Sequence, residues 1–506
     1  MQRWETIPIK HMFNELINSL FSNLDQLKNR TVFKLIFAIS FFLRLPFFFR
    51  DYIDRDESTF ILMGQSWVDG NLPYTELWDL KPPITFLFFA GIIYVFGKSF
   101  IAIRIIGSIL VALTAFFTYK IGQEVHSKRI GLLSGIICVV LLTLFGSLQG
   151  VMSEHICMAF FMPGLYLVIK AEKPQWFLLA GLFMGLALMT KMNIAYAVLC
   201  CGLFIIYLGF KENQKIHGIL KSFLYGIGIL SIIGLTVLPY YFNGISDLWW
   251  NSVILAPLEY IGARRYSILK LAPIFLVILG FFFLAWKKKW LNFKDSKIQL
   301  LLVAVLGIMI AFYKGGRING HYLIQLHPIL VILVVLALIQ FKSVQKLKWR
   351  PFYLVLLFLI PMESYLEYGN IIRNKFERGT FFNGEGFSAP KYIKENQLET
   401  ENILFLGYHI GYWNLNTNPP TKSTTHPSNI CRDELFPFYD NQRKTSIEEL
   451  QHIMEVIKPK TIVTRKNRRV FDKEEIEANE YIDDYLDKHY KAHTTVEKAE
   501  ILQRLD

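Results

Sequence analysis

The chain has 506 residues, of which 53% are hydrophobic and 19% are charged, and it contains 43 phenylalanines. Because the apolar residues come in long blocks, this composition excludes an ordinary soluble protein and indicates a membrane protein with several spanning helices. The net charge is +13. Since most basic residues lie in short loops between apolar blocks, this charge indicates membrane topology rather than nucleic-acid binding.

The N-terminal segment precedes the first apolar block. Residues 1–30 mix charged and apolar positions and predict an amphipathic cytoplasmic helix, with no cleavable signal evident. Four of the five cysteines fall in apolar blocks, and Cys431 stands alone near the C-terminus. This spacing is typical neither of a disulfide framework nor of a metal site.

Twelve apolar blocks follow, and one of them is too short to cross a bilayer comfortably. They lie at about 32–50, 84–97, 101–121, 130–150, 155–170, 175–190, 192–209, 222–242, 269–286, 298–313, 322–341 and 351–367. The short block, 84–97, predicts a helix at the outer face. If it does not cross and the N-terminus is cytoplasmic, all the strongly basic loops are cytoplasmic, which predicts eleven spans. Those loops are 126–129, 170–174, 211–221, 287–289 and 342–350.

This topology places several distant segments at one outer face. They are the acid-rich loop 51–83, the turns at Glu154 and Lys191, the loop 243–268, the segment 313–322 and the tail. We therefore predict a site at the boundary between lipid and water, formed within a membrane domain that covers residues 31–367. Its first outer loop, 51–100, carries the helices that lie beside the membrane.

The tail, residues 368–506, is polar and predicts a small α/β domain. Segments 402–407 and 460–466 predict buried strands, and 446–459 and 473–490 predict helices, the first with Ser446 as its cap. The segment 407–431 is rich in aromatic residues, Asn and Thr. It is interpreted either as a glycan-facing surface or as an ordinary surface loop.

The first outer loop contains the residues best suited to chemistry. Asp56 and Glu57 follow directly on the first span, and Lys81 precedes two prolines that fix the backbone. An anionic headgroup can meet this ammonium, while a nearby carboxylate takes a proton from an acceptor. An acidic pair after a span is otherwise a solvated interface.

The loop resembles the first outer loop of bacterial GT-C glycosyltransferases of family 39. These are the dolichyl-phosphate-mannose protein mannosyltransferase-like enzymes, which include lipid A aminoarabinose transferases. The resemblance rests on the Asp-Glu pair, on "GNLPY" at 70–74 and on "KPP" at 81–83. It covers about residues 30–370, most densely 50–200, through "SEH", "GLALMTK" and "GRINGHYLIQLHPIL", and it extends weakly into the tail. Ser58 and Phe60 depart from the more usual Ala and Tyr.

This resemblance implies a GT-C fold and a polyprenyl-phosphate-linked sugar as donor. The acceptor is a lipid, glycan or protein at the periplasmic face of a bacterial inner membrane. A single displacement inverts the sugar carbon. On this interpretation Asp56 is the general base, Glu57 orients or caps, and Glu154 is a second carboxylate that holds acceptor or sugar.

The resemblance and the outer-face position also suggest residues that bind substrate. Candidates for the donor phosphate are Lys81, Lys191, Arg264, Arg265, Arg317, His321 and Tyr322, and candidates for substrate binding are Tyr74 and Asp79. Because Lys and Arg can neutralise a monophosphate, no metal and no other cofactor is predicted. A snorkelling role for Lys191 and an ordinary interfacial role for His321 stay open.

Three other functions are alternatives to a transferase that uses a polyprenyl-phosphate sugar. A transporter or lipid flippase favours charges at the bilayer midplane and repeated halves, and the sequence shows neither. A non-catalytic cell-envelope assembly protein is disfavoured by the acid-rich loop and stays open. A transferase that uses a diphosphate-linked glycan favours a larger outer loop with more arginine than 243–268 offers.

Overall fold

The computed structural model describes residues 27–51, 53–263, 268–316, 318–341, 357–439 and 442–505. The predicted amphipathic N-terminus lies almost entirely outside these residues, and so does the loop 342–350. The described chain is a multi-pass helical membrane part followed by a smaller tail that contains a sheet.

The membrane part begins with one span and a helical hairpin beside it. Helix α1 is Asn29–Arg44, α2 is Arg55–Val68 and α3 is Pro83–Phe96. Helix α2 starts where the Asp54 side chain accepts a hydrogen bond from the backbone of Asp56, and α3 starts at the two prolines. The hairpin packs tightly at Gly64, where a Cβ atom would lie 2.7 Å from Phe89 Cβ.

The remaining helices of the membrane part follow in chain order. They are α4 (Phe100–Val125), α5 (Lys128–Leu141), α6 (Ser153–Lys170), α7 (Gln175–Leu188), α8 (Ala195–Lys211), α9 (Lys215–Phe242), α10 (Ser246–Trp250), α11 (Ala256–Ala263), α12 (Ile268–Lys287), α13 (Ser296–Gly315) and α14 (His327–Leu338). Every predicted span that falls within the described residues forms a helix. The polytopic helical fold predicted from the sequence is therefore confirmed.

The number of spans agrees with the prediction only roughly. Within the described residues, 6 helices are long and apolar enough to cross a membrane, and three further apolar helices are shorter. The short helices include α3, as predicted, but also α7 and α14. The last predicted block, 351–367, lies mostly outside the described residues.

The tail forms the predicted small α/β unit. Its helices are α15 (Met362–Arg378), α16 (Glu385–Glu395), α17 (Gly411–Leu415), α18 (Ser446–Gln451) and α19 (Ile476–His489). Its strands are β1 (Leu404–Phe405), β2 (Thr461–Arg465), β3 (Tyr490–Val496) and β4 (Ala499–Arg504), in the sheet order β1-β2-β4-β3. Strands β1 and β2 are parallel and match the two predicted strands. The hairpin β3–β4 was not predicted.

The cap of α18 differs from the prediction by one residue. The Thr445 side chain accepts the hydrogen bond from Glu448 N, so Thr445 is the cap. Ser446 instead donates its backbone N–H to Asp433 Oδ1 at 2.8 Å. A neighbouring carboxylate therefore binds the hydroxyl-bearing residue that the sequence pattern favoured as cap.

The tail lies directly on the first outer loop. The Phe387 N–H donates to Asp51 at 3.0 Å, the Trp413 indole donates to Gln65 at 3.0 Å, and Thr59 Oγ1 lies 3.0 Å from His409 Nε2. These contacts are buried or partly buried, and they fix the tail above the hairpin α2–α3.

Candidate functional site

A cavity of about 960 Å³ lies where the outer loops meet the tail. Its lining comes from segments far apart in the sequence, at 53–56, 79–82, 191–196, 253–262 and 311–322, and from the tail residues His426, Arg432 and Arg465. The structure thus gathers the segments that the topology prediction placed at one membrane face. Hereafter we call this space the main cavity.

Asp56 lies in the first turn of α2, on the wall of the main cavity. Its carboxylate is 3.4 Å from Lys81 Nζ and 3.4 Å from His426 Nε2, and its side chain is 24% exposed. Burial alone would raise the pKa of Asp56, but the Lys81 ammonium and the His426 imidazole outweigh burial and hold this pKa well below its ordinary value. Asp56 is therefore a carboxylate with a lowered pKa that is partly exposed to the main cavity.

A second carboxyl group, Asp54, lies beside Asp56 and was not a candidate in the sequence. It lines the main cavity and accepts hydrogen bonds from Asp56 N, at 2.9 Å, and from the Ser147 hydroxyl. Burial and the nearby charge of Asp56 raise the pKa of Asp54. Of these two carboxyl groups, Asp56 therefore has the lower pKa.

Lys81 is held in place through its own backbone. Asp79 Oδ1 accepts the Lys81 N–H at 3.1 Å, and the Tyr74 hydroxyl donates to the Lys81 carbonyl at 2.6 Å. Burial would lower the pKa of Lys81, but the carboxylates of Asp56 and Asp79 outweigh burial and raise this pKa. Asp79 lines the main cavity, whereas Tyr74 is fully buried with a φ of 74°. Tyr74 thus positions Lys81.

Glu57 points away from the main cavity, although it is adjacent to Asp56. It is 1% exposed, its Oε2 lies 2.6 Å from Arg104 Nη2, and its Oε1 accepts the Val151 N–H at 2.6 Å. The carboxylate therefore ties α2 to α4 and to the turn before α6. This contact is structural, and the orienting or capping role of Glu57 in the reaction stays a prediction.

Glu154 is completely buried behind the cavity wall. It forms an ion pair with Lys191 and lies 3.7 Å from His321 Nε2. Lys191 Nζ also lies 4.5 Å from the centre of the Tyr322 ring. Lys191, His321 and Tyr322 line the main cavity. Glu154 is therefore placed to orient these side chains.

The turn before α6 is fixed by a cation from the first span. Arg44 is 1% exposed and donates to the carbonyls of Leu148, Gln149 and Gly150 at 2.6, 3.0 and 2.6 Å. These bonds satisfy carbonyls that would otherwise be buried without partners. The same turn contains Ser147, whose hydroxyl donates to Asp54, so Arg44 stabilises part of the cavity wall.

The tail contributes site residues that the sequence reasoning missed. His426 contacts Asp56, and the Arg432 guanidinium packs on Tyr260 at 5.0 Å from its ring centre. Both side chains line the main cavity. In the sequence, the signal for these two residues is their place in or next to the segment 407–431. That segment has two interpretations, a glycan-facing surface and an ordinary surface loop.

Arg264, Arg265 and Arg317 lie outside the described residues, so their predicted roles stay predictions. In the part of the chain that the structure describes, no group of three or more His, Cys, Asp or Glu residues is placed to hold a metal ion. The prediction that no metal takes part likewise stays a prediction.

Part of the chain is similar to a known protein family. Residues 80–240 match the family model of dolichyl-phosphate-mannose-protein mannosyltransferase, over about a third of the chain. This region contains Lys81, Glu154 and Lys191. In this third of the chain the sequence is similar to that family.

Solved structures share the GT-C fold over nearly the whole chain. ArnT from Cupriavidus metallidurans bound to undecaprenyl phosphate aligns with a TM-score of 0.58 and 13% identity, covering 92% of this chain and 97% of that one. The apo state of the same protein gives a TM-score of 0.58 and 12% identity with the same coverage. At such identities the likeness shows the fold. No curated protein matches the sequence.

Proposed function

We propose that this GT-C protein is an inverting glycosyltransferase that moves a sugar from a polyprenyl phosphate to an acceptor at the outer membrane face. The observation that carries the proposal is the pair formed by Asp56 and Lys81 on the wall of the main cavity. A carboxylate and an ammonium side by side provide what the reaction needs, a base for the acceptor and a cation for the leaving phosphate.

The reaction is a single displacement. The acceptor hydroxyl or amine attacks the anomeric carbon, and the bond from this carbon to the phosphate oxygen breaks. The electron pair of that bond leaves with the polyprenyl phosphate, and the proton of the acceptor passes to the Asp56 carboxylate. Because the nucleophile enters opposite the leaving group, the configuration of the sugar carbon is inverted.

Cations on the cavity wall are placed to receive the phosphate. Lys81 has a firmly held backbone, and Lys191 keeps N–H donors beyond the one that its ion pair with Glu154 uses. His321, Tyr322 and Arg432 add further donors on the same wall. Arg264, Arg265 and Arg317 remain candidates for the same role. A lipid phosphate is the expected donor because the structurally similar ArnT binds undecaprenyl phosphate.

The proposed orientation puts the main cavity on the periplasmic side of a bacterial inner membrane. It is supported by the basic loops of the described chain, which occur at the opposite helix ends, as between α4 and α5 and after α12. In a variant without Cys431, Lys288→Cys is expected to resist a membrane-impermeant thiol reagent in intact cells. Labelling at this position would show that the protein has the opposite orientation.

Replacing Lys81 is expected to change the pH dependence of transfer. Without the ammonium, less positive charge opposes the burial of Asp56, so in Lys81→Gln the pKa of Asp56 rises. The fraction of ionised base then falls at mildly acidic pH, and the acid limb of kcat/KM moves to higher pH. The profile is measured beside Lys391→Gln, which alters an exposed lysine of α16. An acid limb that stays in place would mean that Lys81 does not set the charge of Asp56.

The function itself is tested by presenting the protein with donors. Full-length protein in nanodiscs is incubated with a panel of undecaprenyl-phosphate sugars and membrane extract as acceptor, and release of undecaprenyl phosphate is followed. We expect release from one donor and transfer of its sugar to an extract component. Absence of release from every donor would refute the proposed donor class.

A further inference from the structure

A second, smaller cavity of about 150 Å³ lies at the edge of the tail, and four arginines line it. They are Arg55, Arg465, Arg468 and Arg469, and we call this space the arginine pocket. Arg465 is the last residue of β2, so the pocket lies at the carboxyl ends of the parallel strands β1 and β2. Arg55 comes from the other side, from the first turn of α2.

The arginine pocket adjoins the main cavity. Arg55 and Arg465 line both spaces. Arg55 also lines the main cavity together with Asp56, its neighbour in the chain. The smaller cavity therefore shares part of its lining with the proposed reaction site.

The two shared arginines are held in defined positions. Arg55 donates to the Ser428 hydroxyl at 2.8 Å, and the Arg465 guanidinium packs on Tyr408 at 5.1 Å from its ring centre. Arg465 also crosses Gly407 so closely that a Cβ atom there would lie 3.0 Å from its Cγ. The two side chains therefore form an ordered part of the pocket lining.

The lining of the arginine pocket carries more positive than negative charge. It contains four guanidinium groups and one carboxylate, that of Asp472. Arg469 also faces the carboxylate of Asp483, which lies outside the lining. Arg468 and Arg469 are exposed, so they are available from solvent. Clustered like charges are unfavourable unless an anion neutralises them.

We propose that the arginine pocket binds an anionic group, a phosphate or a carboxylate, of the acceptor. Guanidinium groups bind both anions through paired N–H donors. With its anion held there, the acceptor extends into the main cavity and presents its hydroxyl or amine to Asp56. That the bound molecule is the acceptor rests on the proposed function, whereas binding of an anion in the arginine pocket does not.

The test measures anion binding by the full-length protein in nanodiscs of zwitterionic lipid. Calorimetric titrations with inorganic phosphate and with glucuronate compare the wild type with R468Q/R469Q. Because both arginines are exposed, the double variant is expected to fold. The matched control is K466Q/K473Q, which removes the same charge from exposed lysines in the same segment. Lys81→Gln serves to identify phosphate bound at the donor site.

We expect the wild type, the control and Lys81→Gln to bind one of the two probes at the arginine pocket. In R468Q/R469Q this binding should weaken about tenfold or more, as loss of charge-assisted hydrogen bonds predicts. The probe that binds distinguishes phosphate from carboxylate. If neither binds, or if R468Q/R469Q binds like K466Q/K473Q, the proposal is wrong. The titration does not measure donor turnover. Failure of the proposed function would instead be seen in the assay with undecaprenyl-phosphate sugars.

Discussion

Asp56→Asn is expected to lower sugar transfer by at least about 10³-fold while the protein stays folded and in the membrane. The amide has nearly the volume of the carboxylate, so the contacts with Lys81 and His426 lose charge but little packing. It cannot accept the proton of the acceptor. The measurement is release of undecaprenyl phosphate and product from the active donor, at saturating acceptor.

The control for this variant comes from the same helix. Asp69 caps the C-terminal end of α2, where its carboxylate accepts from the Gln65 side chain at 2.9 Å. Asp69→Asn makes the same chemical change outside the main cavity, and we expect activity near that of the wild type. Turnover by Asp56→Asn that matched Asp69→Asn would exclude Asp56 as the base.

Glu57→Gln is expected to destabilise the protein by about 3–5 kcal/mol, because it breaks a buried ion pair from one side. Arg104 is 1% exposed, and within the described residues its Nε and Nη1 have no hydrogen-bond partner. Its positive charge therefore depends on Glu57 for compensation. Thermal unfolding of the detergent-solubilised protein should show a clearly lower midpoint.

A double variant separates charge from packing in this prediction. In E57Q/R104M the uncompensated charge is removed together with its partner, so the loss of stability should be smaller than in Glu57→Gln alone. Glu76→Gln, at an exposed position of the same loop, is the control and should unfold like the wild type. Additive losses in the double variant would show that the pair carries no coupling.

The sequence predicted part of this site because its motifs lie in loops at one face. Asp56, Lys81, Lys191 and His321 follow from apolar blocks, positive loops and a family pattern, and the structure places all four on one wall. Glu57 shows the limit of this reasoning. Neighbours on an α-helix point about 100° apart, so one acid of the pair lines the main cavity while the other is buried against Arg104.

The contribution of the tail could not be predicted in the same way. Tertiary packing brings His426 to Asp56 across 370 positions of the chain, and no local pattern encodes that approach. The lengths of the membrane helices could not be predicted from the sequence either. Hydropathy finds each apolar block, but turns such as Met192–Ile194 and Gly320–Gln325 shorten the regular helices in ways that composition does not reveal.

The position of His426 and Arg432 links activity to the order in which the chain is made. Both residues lie in the last fifth of the sequence, yet they line the main cavity together with Asp56 and Lys81 of the first outer loop. On the proposed orientation, Asp56 and Lys81 reach the outer face while the later helices are still being inserted, before these two tail residues can join them. On the proposed function, the site is therefore complete only after the tail is translocated, and a half-synthesised chain lacks part of it.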